Sequence, residues 1–248
     1  MREFRDDAVV LRTYKSGESD RVVVLWTREH GKVRVIAKGI RKTTSRLGGT
    51  LEALAHVRVD LVATRGDLYV AKHVSHLAHL STLRSSYDRI NAGYAVVEVV
   101  DAIPSDDVAD ESIFDLLVRV LNALDQEGIE PALVPASFYF RLLALDGSEP
   151  VVEGCVNCGS PGPLVSFDAA VGGTLCANCR SGQALSSDAL ALIRRILGGD
   201  LGNVLAEPAP PGAGEVAAIA QEAIEQHFGK RLRVGRSSAP LSPPAARG

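Results

Sequence analysis

All four cysteines of the chain lie between positions 155 and 179, as Cys155-x2-Cys158, seventeen intervening residues, then Cys176-x2-Cys179. Two thiol pairs on one glycine-rich segment, GCVNCGSPGPLVSFDAAVGGTLCANCRSG, form the ligand pattern of a tetrahedral zinc site. Each C-x-x-C turn aims two sulfurs at one point, and Gly154 and Gly159 let backbone amides approach them. Leu164-Val165-Ser166-Phe167 and Val171-Gly172-Gly173-Thr174-Leu175 are predicted to pair as a hairpin with one turn at each base, as in a zinc ribbon. Four thiolates leave no coordination position open to water, so the expected Zn2+, one per chain, is structural. A redox dithiol needs only one pair, at the start of a helix in a βαβ context, and two paired disulfides would be unusual in the cytoplasm.

Away from the cysteines, the hydrophobic pattern changes period once. Up to about His76 the chain reads as short β-branched runs separated by turn residues: Ala8–Leu11, Arg21–Trp26, Lys32–Ala37, Leu54–Val62 and Asp67–Val74. Val57-Arg58-Val59-Asp60-Leu61 alternates cleanly, with apolar residues inward and charges outward. Glu29-His30-Gly31 and Arg65-Gly66-Asp67 are short enough to close hairpins. Five antiparallel strands in residues 1–80 predict a small barrel, with the five-stranded OB-fold ahead of an SH3-like barrel. After Ser81 the period becomes that of a helix. Ile113, Leu116, Leu117, Val120, Leu121 and Leu124 make one stripe, capped by Asp110 or Ser112. Further helices are predicted at 84–102, 132–146 (stopped by Gly147), 187–197 and 213–228 (stopped by Gly229). The expected fold class is therefore α+β and multi-domain. An N-terminal five-stranded OB-fold barrel (1–80) precedes an α-helical domain (81–236) that carries an inserted four-cysteine, zinc-ribbon-like finger at 151–182. The Pro- and Ala-rich tail 237–248 is expected to be disordered.

The formal charge of −3 conceals an uneven distribution. Residues 1–80 carry 15 Lys+Arg and 9 Asp+Glu, or +6, whereas the remainder carries 12 and 21, or −9. A basic domain attracts polyanions whatever the net charge of the molecule, so nucleic acid is a candidate partner. The segment Lys38-Gly39-Ile40-Arg41-Lys42-Thr43-Thr44-Ser45-Arg46 concentrates cations, hydroxyls and a glycine between the third and fourth strands. Such a segment wraps phosphates, with Lys38, Arg41, Lys42 and Arg46 supplying charge. Arg34 and Arg21 join them if their strand face is the exposed one. Aromatic residues are few in the barrel (Phe4, Tyr14, Trp26, Tyr69), so contacts are expected mainly with backbone phosphates and with little sequence preference.

No catalytic constellation emerges. The chain has no G-x-x-x-x-G-K-[ST], G-x-G-x-x-G, G-x-S-x-G or H-E-x-x-H motif, and the expected activity is non-enzymatic. His73, His76 and His79 straddle a strand end and a helix start, a spacing that need not bring imidazoles together around a metal. Asp106-Asp107 beside Pro104 reads as a solvated turn. No apolar run approaches the roughly 20 residues of a membrane span, and the opening MREFRDDAVVLR lacks a signal-peptide core, so a cytoplasmic location without membrane contact is expected.

Several segments in order resemble the RecO family of recombination mediators. They are Ala8-Val9-Val10-Leu11-Arg12, Gly17-Glu18-Ser19-Asp20-Arg21, Gly31-Lys32-Val33 and Ala37-Lys38-Gly39-Ile40-Arg41-Lys42, followed by Phe140-Arg141-Leu142-Leu143, Gly147, Pro150, Cys155-x2-Cys158-Gly159 and His227-Phe228-Gly229-Lys230-Arg231-Leu232. The resemblance implies DNA repair and recombination in the RecF pathway and a nucleoid-associated location. It implies binding of single-stranded and double-stranded DNA, annealing of complementary strands, and partnership with RecR and single-strand-binding protein in loading RecA. Members without zinc cysteines exist in that family, so the metal is expected to stabilise rather than to act. The competing readings are a scaffold that binds acidic protein segments, and a zinc-ribbon RNA-binding factor.

Overall fold

Val22-Val23-Val24-Leu25-Trp26 shows no alternation, and its burial explains why: every one of these side chains is at most 4% exposed. The computed structural model describes residues 3–16, 18, 20–38, 49–64, 66–104 and 109–234. Arg41, Lys42, Arg46, Arg65, the Asp106-Asp107 pair and the tail 237–248 lie outside the described residues. Strands β1 (Glu3–Ser16), β2 (Asp20–Thr27), β3 (Gly31–Ala37), β4 (His56–Ala63) and β5 (Leu68–Ala78) close a barrel in the order β1-β2-β3-β5-β4. This is the OB-fold arrangement expected from the turn spacing. One expectation needs correction, because β3 and β5 pair in parallel, with Val35 opposite Tyr69. A ring of five strands cannot alternate direction all the way round, so one neighbouring pair must run the same way.

The barrel has two hydrophobic faces. Its interior holds Ala8, Val10, Val23, Leu25, Val33, Val35, Val57, Val59 and Leu61. On the other side of the same strands, Val9, Leu11, Val24 and Trp26 join Leu54 and the helices in a second, larger core. A bulge between Val10 and Arg12 in β1 shifts its register against β2, and the pairing then continues to Ser16 opposite Asp20. β4 keeps strict alternation, with Val57, Val59 and Leu61 inward and Arg58 exposed, because its outer face meets solvent.

The single helix expected at 84–102 is two, α1 (Ser81–Ser85) and α2 (Tyr87–Ala102), separated by an extended Ser86. α3 (Glu111–Leu124) starts where expected. Asp110 Oδ1 accepts from the Ser112 and Ile113 amides at 2.7 and 3.3 Å, and Phe114, Leu117, Leu121 and Leu124 are buried. α4 (Val134–Leu145) follows a 3-10 turn at Pro131–Leu133. α5 (Ser187–Leu197) and α7 (Ala213–Phe228) have the predicted limits, and Gly229 ends α7 at φ +60°. Between them lies a short α6 (Leu201–Ala206) that the sequence reading missed, since six residues are too few to establish a period.

Charges seal the seam between barrel and helices. Arg12 Nε lies 2.5 Å from Asp101, at the end of α2. Lys32, with its side chain 7% exposed, donates to the Asp101 carbonyl at 2.8 Å and to the Ile103 carbonyl, a cation at the negative end of a helix. Arg28 pairs with Asp115 at 2.7 Å and lies 4.7 Å from the centre of the Phe114 ring. The His56 ring lies 6.0 Å from the same ring, inclined by 63°, and its Nε2 is buried without a hydrogen-bond partner among the described residues.

Burial holds the His56 imidazole below its ordinary pKa, outweighing the opposing pull of Asp7 and reinforced by Arg28 and Arg58. The unfolded chain thus binds a proton there that the folded chain resists. Stability from this site is complete above the unfolded value and is lost as pH falls toward the folded one. In urea titrations, the midpoint is expected to fall between about pH 7.5 and pH 5.5, and His56→Leu should flatten part of that decline. An unchanged slope in the variant would place the sensitivity elsewhere.

Candidate metal centre and cationic rim

The cysteine segment is built into the helical core. β6 (Leu164–Asp168), β7 (Gly173–Cys176) and β8 (Gln183–Ala184) form a small sheet in the order β7-β6-β8. The predicted hairpin is β6–β7, with Ser166 opposite Leu175, and β8 adds a strand the sequence did not announce. Gly182 permits that third strand. It sits at φ +69°, and a Cβ there would come within 2.2 Å of the Phe167 carbonyl oxygen. Leu164, Phe167, Leu175 and Leu185 face the same core as Ile193, Val216 and Ile219 of α5 and α7.

At the end of this sheet the four sulfurs lie within 4.8 Å of one another, with Cys155 and Cys176 buried, Cys179 half-buried and Cys158 exposed. All four are free of disulfides. Cys158 Sγ and Cys176 Sγ are 3.8 Å apart. Tetrahedral ligands at the usual Zn–S distance of about 2.3 Å are separated by about 3.8 Å, so this set could hold one metal ion. The Cys155 amide donates to the Ser160 carbonyl and the Gly159 amide to the Cys155 carbonyl, both at 2.8 Å, which fixes the first turn. The Cys176 backbone, then those of Cys158 and Asn157, hold the Cys155 thiol down to about 6. Cys179, surrounded by Cys158, Cys155 and Cys176, is pushed up to about 12. Four thiolates this close repel, and a bound cation removes that repulsion.

Apart from Arg34, the barrel's cations among the described residues divide into three groups. Arg12, Arg28 and Lys32 are held in the seam described above. On the outer face of β1, β4 and β5, Arg5 meets Asp60 at 2.5 Å, Arg58 meets Asp7 at 2.7 Å and Lys72 meets Glu3 at 2.9 Å. The bond from Arg5 holds Asp60 below the ordinary carboxylate range. Neither group offers net charge to a polyanion. The third group lies at the rim where β1, β3 and β5 end and β2 begins. Lys15 is cross-strand from Arg21, and Arg21 from Ala37 at the end of β3, with exposed Lys38 next in the chain. Lys15, Arg21 and Lys38 have no carboxylate partner among the described residues.

Lys38 and Arg21 thus lie at one rim, Lys38 exposed and Arg21 half-buried. Arg34 is also exposed, on the outer face of β3, and Arg34 Nη2 donates to the Tyr14 hydroxyl at 2.8 Å. Sequence reading missed Lys15, because only the β1–β2 register places it beside Arg21. It also missed that Tyr14 carries Arg12 5.4 Å from its ring centre. No described helix is long and apolar enough to cross a membrane.

Residues 1–78 match the family described as Recombination protein O N terminal, and residues 84–236 match Recombination protein O C terminal. The chain belongs to the RecO family. Relatives named DNA repair protein RecO include one from Streptomyces griseus, 36% identical over 79% of this chain and 83% of its own. Another, from Streptomyces coelicolor, is 35% identical over 93% of this chain and 96% of its own. RecO membership gives the protein a role in DNA repair and recombination.

Because the cysteine sheet shares the helical core, loss of one thiol should be felt as lost stability. Cys176→Ser is expected to abolish stoichiometric metal binding, read by elemental analysis, and to lower the melting temperature by roughly 5–10 °C. A metal-free wild type with four titratable thiols would overturn the assignment.

Proposed function

We propose that the protein is a non-catalytic recombination mediator that binds single-stranded and double-stranded DNA, anneals complementary strands and, with RecR, helps load RecA onto DNA coated by single-strand-binding protein. The supporting observation is the cationic rim of an OB barrel in a RecO-family chain: the seam and the outer ladder neutralise the other barrel cations considered, and the rim stays open. On this reading Lys38, Arg41, Lys42 and Arg46 contact phosphate, with Arg21 and Arg34 beside them. The division into a DNA-binding barrel (1–80) and a helical domain (81–236) with its finger at 151–182 belongs to the same proposal, as does a cytoplasmic, nucleoid-associated location.

Annealing requires that two polyanions be brought together and yet be left able to search for register. Cations on a rim neutralise phosphate, while large aromatic platforms that would hold individual bases are scarce. Trp26 is buried under the helices, and Phe4 stacks on His30 at the opposite end of the barrel, with a centroid distance of 3.7 Å. Cys155, Cys158, Cys176 and Cys179 would hold zinc, which would supply structural cross-linking and no chemistry of its own in this mechanism.

The decisive assay is annealing of complementary oligonucleotides coated with single-strand-binding protein. The protein should accelerate it, and absence of acceleration together with absence of single-strand binding at low salt would refute the proposal. Changing Lys38, Arg41 and Lys42 together to Glu should weaken single-strand binding without unfolding the chain. It should also reduce the slope of log affinity against log salt by about 2, from about 0.7 per lost phosphate contact. Binding to acidic peptides but not to oligonucleotides would favour a protein scaffold instead.

A further inference from the structure

His73, His76 and His79 do not converge on one point. His73 is in register with Asp60 on the outer ladder. His76 is in register with Val57, an interior-facing residue, and so shares the interior face of β5, exposed near the end of that strand. Its ring lies 5.4 Å from that of His79, inclined by 40°, and both residues are exposed. Arg84 of α1 and Glu52 complete the group, with Arg84 Nη1 3.8 Å from the Glu52 carboxylate.

This cluster is held firmly in place. Residues 49–55 return the chain to β4, anchored by Leu51 in the barrel interior and by Leu54, at φ +70°, against the helical core. A Cβ on Gly93 of α2 would come within 3.0 Å of Leu54, so the contact is tight. Arg84 Nη2 donates to the Ala53 carbonyl at 3.4 Å. The histidines therefore face a rigid neighbourhood with one cation and one carboxylate, which cancel. Protonating the His76 imidazole converts a neutral patch into a positively charged one.

The geometry points to His76, His79 and Arg84 as a phosphate-binding extension of the cationic rim, engaged by nucleic acid with uptake of a proton on His76. It rests on the DNA-binding reading above and adds a site and a pH dependence to it. The position suits a polyanion track. Ile36 of β3 is in register with Val70, so the exit of β3 at Lys38 lies near Lys72. His76 is four residues further along β5, about 13 Å. A metal is the weaker occupant, because two imidazoles supply two ligands and the four cysteines are the sole metal-ligating group found among the described residues.

Desolvation, followed by the charges of His79 and Arg84, holds His76 below its ordinary value; Glu52 and the Gly49 backbone oppose them. Near neutral pH the patch is therefore uncharged on the His76 side until an anion arrives. Phosphate raises the imidazole pKa, so the complex carries more protons than the free partners, and affinity rises as pH falls through the histidine range.

The test is fluorescence anisotropy with a labelled oligothymidylate at constant ionic strength, using the full chain. Wild-type affinity should increase about tenfold from about pH 8 to about pH 6, within the range where imidazoles titrate. His76→Gln with His79→Gln should keep the affinity at the higher pH and lose most of the increase, whereas His73→Gln should behave as wild type. Arg84→Gln should weaken binding several-fold at both pH values, which covers the case of a double variant that fails to fold. A double variant with the full wild-type increase, or an Arg84 variant with unchanged affinity, would overturn the inference and leave DNA binding standing. A wild type that binds no oligonucleotide at either pH would overturn the DNA-binding reading itself.

Discussion

Burial of Val24 and Trp26 against the helices is the contact on which the rest of the molecule depends. A small barrel ordinarily hides one face of each strand and leaves the other to water. Here β1 and β2 are covered on both faces, and the outer apolar side chains Val9, Leu11, Val24 and Trp26 belong to the same continuous core as the helices and the cysteine sheet. Each such side chain contributes on the order of 1.5–3 kcal/mol when removed from water, so the barrel and helices stabilise each other through it. The barrel is consequently fixed in orientation, and only the surfaces turned away from the helices are free to meet a partner.

That orientation also decides which charges matter. The excess of cations in residues 1–80 suggested a basic domain set against an acidic one, and the structure shows that part of this contrast is spent internally. Asp101 and Asp115 of the helical part receive Arg12, Lys32 and Arg28, and Glu111 lies 3.8 Å from Arg28. Arg5, Arg58 and Lys72 are neutralised by carboxylates on adjacent strands, and exposed pairs of this kind contribute little energy while removing net field. What survives is a local arrangement at one rim rather than a property of the whole segment. A polyanion responds to a local field of this kind rather than to the chain's net charge of −3.

The sequence disclosed features whose cause is local. Asp110 caps α3 by hydrogen bonds to amides two and three residues on, Gly229 ends α7 through its own φ, and the two C-x-x-C turns declare their ligand set by spacing alone. It was silent where the cause lies across the fold. No local signal sets β3 and β5 parallel; that follows from closing a ring with an odd number of strands. No local signal places Lys15 beside Arg21, or His76 beside Arg84, because both depend on strand register and on how α1 packs. The unbroken run Val22–Trp26 did contain a clue, since a strand buried on both faces loses its alternation.

The metal site follows the same logic of shared burial. Cys155 and Cys176 are members of the helical core, Cys179 packs half-buried against it, and Cys158 is exposed. An ion that ties the outer pair to the inner pair fastens the edge of a sheet whose other face carries Phe167 and Leu175 into α5 and α7. The Thr174 hydroxyl, donating to the Gly154 carbonyl at 3.0 Å and the Val151 carbonyl at 3.2 Å, holds the strand that ends in Cys176 against the turn that begins at Cys155. With the two turns already aligned by the protein, little rearrangement is needed for the thiols to converge. Binding energy then goes into stabilising the native state rather than into creating it. A related chain with a larger apolar core at this position could therefore dispense with the cysteines and keep both the barrel's orientation and its rim.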